Sequence, residues 1–260
     1  MSNIYDTLKE QLIHEKGTAL ASVVRGPAHI GSKLLVLSDK TVQGTLGLPE
    51  LDELVLPDAQ RSIWKGDAFT RTYTLTPSNA ETEPQSFDVF IEGYAPPPSL
   101  LIVGAGHIAV ALTTFAKTLN YHVTIIDARS AFATRERFPN ADDIIVEWPD
   151  EVLERMDLNP SVSITVLTHD PKFDEPTLEV VLKKPLGYIG AIGSRKTSEE
   201  RAERLKQRGL TDEQLSRIHA PIGLNLGGRS PEEIALAIMA QIVSTRYSKD
   251  ETAITNWAKK

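Results

Sequence analysis

The chain has 260 residues, 41% of them hydrophobic and 24% charged, with a formal net charge of −7 and no cysteine. That make-up suits one large or two ordinary globular domains and excludes a disulfide framework, a thiolate metal site and a catalytic thiol. No basic block occurs, so no extended nucleic-acid or anionic-membrane surface is expected, and the absence of cysteine fits a cytoplasmic protein.

Residues 1–16 mix charged and apolar types and do not read as a secretory signal; no apolar run is long enough to span a bilayer. Ile4, Leu8, Leu12 and Ile13 fall at helical spacing, predicting a helix over about 3–15. Residues 19–25 read as a strand, and 34–37 and 41–46 flank Ser38-Asp39-Lys40 as a hairpin. Residues 68–75 are strand-like, with Phe69, Tyr73 and Leu75 on one face interrupted by Arg71, while Phe87, Val89 and Ile91 alternate cleanly. The first 94 residues thus predict a small α+β domain with an antiparallel sheet. Pro96-Pro97-Pro98 then marks a stiff connector at 95–99.

Residues 100–260 change character. Apolar strands at 100–103, 121–126, 143–146, 161–167 and 187–192 alternate with helices at about 106–119, 177–183 and 197–208, and a last helix runs from Ser230 to about Tyr247. Ser230-Pro231-Glu232-Glu233 and Thr211-Asp212-Glu213-Gln214 carry capping signals, and Gly209 suits a helix end. The predicted class is α/β: a Rossmann-like parallel-sheet domain preceded by a smaller α+β domain.

Gly104-Ala105-Gly106-His107-Ile108-Ala109 sits between the first of these strands and its helix. Gly104 permits the tight turn, Gly106 lets a pyrophosphate approach the backbone, and Ala109 keeps the helix near the sheet. The helix start then offers N–H groups to an anion. Asp127, about twenty residues on, is the expected acceptor for ribose hydroxyls, and Arg129 is placed to meet a 2′-phosphate. Asp127 as a mere cap of the next segment is the plainer alternative. His107 reads either as a proton-transfer residue or as an exposed residue tuning the turn.

Three further segments are expected at the carboxyl ends of the strands, where parallel α/β sheets bind ligands. Thr168-His169-Asp170-Pro171-Lys172-Phe173-Asp174 holds candidate acid/base groups in His169 and Asp170, or simple helix caps. Gly190-Ala191-Ile192-Gly193-Ser194-Arg195-Lys196 places two cations at a helix start, against the dipole, which makes sense around an anion held by Gly193, Ser194, Arg195 and Lys196; a βα turn with two solvated cations is the plainer alternative. His219-Ala220-Pro221-Ile222-Gly223-Leu224 supplies Gly223 to the same crevice. No metal site is expected.

Taken together and in order, these segments resemble the XdhC/CoxI family of xanthine dehydrogenase accessory proteins. The resemblance covers about residues 99–248 and includes Arg229-Ser-Pro-Glu-Glu-Ile-Ala235. It implies a smaller N-terminal domain and a Rossmann domain that binds the molybdenum cofactor. It also implies support for the cofactor's sulfuration with a cysteine desulfurase, delivery to a molybdenum hydroxylase apo-enzyme, and a homodimer. Such a chain is an assembly factor and not itself an enzyme. Where the family has Gly-Ser-x-Pro-Arg, this chain has Gly26-Pro27-Ala28-His29-Ile30; where the family has Gly-Gly-Cys-x-Glu, the region reads Gly44-Thr45-Leu46-Gly47-Leu48-Pro49-Glu50-Leu51-Asp52 and lacks the cysteine. It therefore carries no persulfide of its own. An NAD(P)-dependent oxidoreductase is the alternative, although no Tyr-x-x-x-Lys pair supports it, and a nucleotide-sensing module is a third.

Overall fold

The structure, a computed structural model, describes residues 3–76 and 83–247. The end of the 100–260 segment, 248–260, lies outside the described residues. The chain divides between Pro96 and Pro97 into two compact units.

In the first unit, helix α1 (Ile4–Ile13) starts at Asn3, whose side chain accepts from the Tyr5 N–H. Strands β1 (Thr18–Arg25), β2 (Lys33–Leu37), β3 (Val42–Thr45), β4 (Ala68–Leu75) and β5 (Gln85–Tyr94) form an antiparallel sheet in the order β3-β2-β1-β5-β4. Helix α2 (Pro49–Lys65) was not expected from the sequence. Its Leu51, Val55, Ala59 and Ile63 recur every four residues and pack on Ala19, Ala21, Phe87, Val89 and Ile91. Proline opens the helix at its first position, where no N–H is missed. Pro57 inside it disguises the period.

Arg71, which interrupts the apolar face of β4, ion-pairs with buried Asp58 of α2. The same carboxylate accepts from the Tyr73 hydroxyl at 2.6 Å. Burial works to raise the Asp58 pKa, but the Tyr73 and Arg71 hydrogen bonds outweigh it and hold the carboxyl below its ordinary range. Tyr73→Phe is therefore expected to cost about 1–2 kcal/mol of stability. Urea unfolding followed by circular dichroism reads that loss, and an unchanged midpoint would mean that the bond contributes nothing net.

The second unit is a six-stranded, wholly parallel sheet of β6 (Ser99–Val103), β7 (His122–Ile126), β8 (Asp143–Ile145), β9 (Val162–Val166), β10 (Tyr188–Ala191) and β11 (Ile218–His219). The spatial order is β11-β10-β9-β6-β7-β8. Counted within the unit from the β8 edge this is 3-2-1-4-5-6, the Rossmann order, with its switch point between β6 and β9. Leu100 and Ile102 face one core with helices α3 (His107–Thr118) and α8 (Pro231–Tyr247). Leu101 and Val103 face the other, with α4 (Pro149–Arg155), α5 (Pro171–Val181) and α6 (Arg195–Gln207). Burial on both faces explains why these strands are apolar throughout and do not alternate.

One expected helix start moves. Helix α5 begins at Pro171 and not near residue 177: Asp170 caps it by accepting from the Lys172 N–H at 3.0 Å, and proline again takes the first position. The polar residues Lys172, Asp174 and Glu175 read as loop in sequence but form its first turns. The short helices α4 and α7 (Asp212–Ser216) complete the unit, and α7 carries the full capping box of Thr211 and Gln214. Among the described residues, no helix is long and apolar enough to cross a membrane.

Candidate functional site

The turn after β6 is fixed by contacts with the end of β7 and with Thr168. Gly104 has φ +101°, and its N–H donates to the Ile126 carbonyl at 3.0 Å. A Cβ there would stand 2.9 Å from both the backbone nitrogen and the Cγ2 of Thr168. Gly106 differs: it has ordinary φ of −79°, and a Cβ on it would meet nothing within 4 Å. Nothing inside the protein therefore requires glycine at 106, whereas a ligand approaching that backbone would. No side chain caps α3 at Gly106, which leaves the helix start to an incoming anion.

Asp127 lies at the end of β7, 2% exposed, with both oxygens engaged. Oδ2 accepts from the Ala105 N–H at 2.8 Å and from Arg129 Nη2 at 2.7 Å; Oδ1 accepts from Arg129 Nε at 2.9 Å and the Arg129 N–H at 3.0 Å. In this arrangement a ribose hydroxyl would have to displace Arg129 to reach the carboxylate. The Arg129 guanidinium lies 4.4 Å above the Phe132 ring. Nearby Trp148 and Phe173 stack at 4.9 Å, and Lys172 Nζ stands 4.7 Å over Trp148. The segments after β7, β8 and β9 thus bring three aromatic rings and two cations to the carboxyl edge of the sheet. The members of this group lie far apart in the chain, so no local pattern in the sequence marks them.

A cavity of about 540 Å³ opens at the same edge, within the usual range for small-molecule sites. Ile108, Ile192, Ile222 and Ile234 form its apolar wall; His169, Asp174, Ser194, Thr197, Arg201 and Arg204 supply its polar groups. His169 has a left-handed backbone, φ +60°, uncommon for a residue other than glycine. Thr168 donates through Oγ1 to Asp174 at 2.5 Å. Asp174 is 1% exposed, and burial pushes its carboxyl above the ordinary range despite Thr168 and Arg201. Gly193 and Ser194 lie at the start of α6, where Ser194 Oγ accepts from the Thr197 N–H at 3.1 Å.

The remaining expected residues sit elsewhere. His107 is exposed and lines a separate hollow with Val110, Phe115 and Arg137, apart from His169 and Asp170. Lys196 projects into solvent with its side chain 86% exposed, and Arg195 lines a hollow against Leu215 and Ile218. The cations that line the cavity are instead Arg201 and Arg204, further along α6. Gly223, φ +91°, packs against α8, and its N–H donates at 2.8 Å to Gln241 Oε1, which also accepts from the Tyr188 hydroxyl. His219 stacks on Tyr188 at 4.7 Å. Among the described residues, no three His, Asp or Glu side chains converge as a metal site would.

The strand order, the glycine turn and the cavity at the switch edge define a Rossmann-type domain. A profile of the XdhC Rossmann domain matches residues 100–242, and one of the XdhC and CoxI family matches 14–74. The chain belongs to the XdhC and CoxI family. It is 32% identical over 162 residues to a probable xanthine dehydrogenase subunit from Bacillus subtilis (strain 168), covering 62% of this chain and 47% of that protein. It is 25% identical over 162 residues to the molybdenum cofactor insertion chaperone PaoD of Escherichia coli (strain K12), covering 62% and 44%. It is 24% identical over 237 residues to the uncharacterized protein YqeB of the same organism, covering 88% and 43%. The matched segments thus span less than half the length of these relatives. A crystal structure of a xanthine dehydrogenase from Bacillus halodurans superposes with a TM-score of 0.53 at 21% identity, over 97% of this chain and 98% of that one, a likeness of fold.

Proposed function

We propose that this chain is an accessory protein that binds the molybdenum cofactor and serves the assembly of a xanthine dehydrogenase-type molybdenum hydroxylase. The observation that carries the reading is the convergence at one sheet edge of an open glycine backbone at Gly106, an uncapped α3 and a cavity with a buried arginine. A pterin bearing a phosphate suits that set: the apolar isoleucine wall takes a ring, and the helix starts and Arg201 take the charge. Gly104, Gly106, Gly193, Ser194 and His169 are the residues expected to touch it. The names of the Bacillus subtilis and PaoD relatives support the same role. With no cysteine in the chain, any sulfur reaching the cofactor comes from a partner's thiol, the part a cysteine desulfurase would play. The reading includes a homodimer, and a division of labour between the 1–94 and 100–260 segments.

Incubation of the purified chain with isolated molybdenum cofactor, followed by desalting, is expected to leave pterin and molybdenum on the protein in equal amounts. Absence of both would sink the reading. Calorimetric titration with NAD⁺ and NADP⁺ tests the dinucleotide alternative, which rests on the glycine turn: binding of either, without cofactor retention, would replace the assembly role.

A further inference from the structure

We propose that the cavity floor is a phosphate seat built on Arg201, a residue outside every motif of the sequence. The Arg201 side chain is 6% exposed. Its Nη2 donates to the Ile192 carbonyl at 2.6 Å and stands 3.6 Å from Asp174 Oδ2. Its Nη1 is buried with no hydrogen-bond partner, the one side-chain nitrogen or oxygen so left among the described residues. A guanidinium only donates, so the missing partner is an acceptor. Buried charged donors are rarely left unmatched in folded proteins, and an unmatched one marks a place for a ligand.

Charge and shape favour a phosphate. Arg204 already pairs with Glu175, whose Oε1 accepts from its Nε at 2.6 Å and whose Oε2 stands 2.8 Å from Arg208. Asp174 compensates Arg201 poorly: the ion pair is long, at 3.6 Å. The start of α6 supplies backbone donors from a second direction. Ser194 Oγ and Thr197 Oγ1 lie 2.9 Å apart and use one hydroxyl hydrogen between them, which leaves the other for an oxyanion. Gly193 stands where a Cβ would come within 3.3 Å of Arg201 Nη2, so its lack of a side chain keeps the guanidinium clear. Donors from several directions suit a tetrahedral oxyanion better than a flat carboxylate. The seat rests on the cofactor reading for the identity of the molecule that carries the phosphate, but not for the phosphate itself.

The test uses the full chain, with inorganic phosphate as the probe in calorimetric titration and thermal shift at constant ionic strength. Arg201→Lys keeps a cation that reaches Ile192, and Arg201→Gln removes the charge; ligand-free melting and circular dichroism show which variants fold. The wild type is expected to bind phosphate, and a folded variant to bind it at least about tenfold more weakly, as loss of a charge-assisted hydrogen bond requires. No binding by the wild type, or equal binding by Arg201→Lys, overturns the seat. Isolated cofactor, adenosine monophosphate and guanosine monophosphate form the second arm. Cofactor retained alike by wild type and variants overturns the seat and spares the accessory reading. Phosphate binding that depends on Arg201, with a nucleotide bound and no cofactor retained, supports the seat and removes the accessory reading.

Discussion

Gly104→Ala is expected to cost the second unit about 2–6 kcal/mol, while Gly106→Ala leaves its stability within about 0.5 kcal/mol. At 104 two costs add. The backbone sits at φ +101°, where an alanine is strained by about 1–3 kcal/mol. Its Cβ would also press on the Thr168 nitrogen at 2.9 Å and the Leu167 carbonyl carbon at 3.0 Å, backbone atoms that cannot rotate away. Overpacking of that kind adds about 1–3 kcal/mol. At 106 neither cost applies, since φ is −79° and the space is open. The methyl would instead occupy the path of a ligand to the start of α3. Urea unfolding of both variants, beside retention of isolated cofactor, separates the roles: Gly104→Ala lowers the unfolding midpoint, and Gly106→Ala lowers retention alone. Equal stability losses would mean that both glycines serve the fold.

Thr168 ties this turn to the cavity. It abuts Gly104 on one side and donates to Asp174 on the other, and Asp174 faces Arg201. The glycine turn and the arginine seat are therefore two ends of one short run of contacts through the carboxyl end of β9. The sequence pointed to the glycine turn and to the start of α6 as anion sites, but not to Arg201, and it could not show that a threonine joins the two.

What was legible followed from local physics. Continuous apolar runs told of a sheet buried on both faces, and the alternation at Phe87, Val89 and Ile91 told of one half-covered. Capping residues marked the helix starts at Ser230 and Thr211, where Glu233 and Gln214 close the boxes. What escaped depended on partners far away in the chain. Helix α2 hides behind Pro57 and an inner face that includes Asp58 and Ser62, polar residues whose partners are Arg71, Tyr73 and Asp67. The first turns of α5 looked like loop because Asp174 and Glu175 are acidic; they are buried because α6 brings Arg201, Arg204 and Arg208 to meet them. Helix α6 is so polar that no hydrophobic stripe shows which face turns inward. Only the spacing of Arg201 and Leu205, four apart and both buried, carries that information, and an arginine is the last residue one reads as core. The cations at the helix start, Arg195 and Lys196, drew notice through their conflict with the dipole, yet they point away from the cavity.

Asp127→Asn is expected to cost about 2–3 kcal/mol at neutral pH, although the two side chains have nearly the same shape. The carboxylate receives four N–H groups and has none to give. An amide offers one acceptor atom and turns an NH₂ either toward the Ala105 N–H or toward Arg129, so that donor meets donor. The buried Ala105 N–H has no water to turn to, whereas the Arg129 side chain, 37% exposed, recovers part of its loss from solvent. The pH dependence separates this loss from simple misfit. Burial tends to raise the Asp127 pKa, but the Arg129 side chain and the two backbone donors outweigh it and hold the carboxyl below its ordinary range. A carboxyl with a depressed folded pKa stabilises in full above its unfolded pKa and loses that contribution as pH falls through the folded one. The gap in unfolding free energy between wild type and Asp127→Asn should therefore be constant from about pH 7 to 5 and shrink below about pH 4. A gap that does not change down to about pH 3 would mean that the substitution acts through packing and not through charge. The Gly104–Gly106 backbone, held to Asp127 by the Ala105 N–H, should loosen with it. Cofactor retention by Asp127→Asn is then expected to fall at neutral pH even where the protein stays folded.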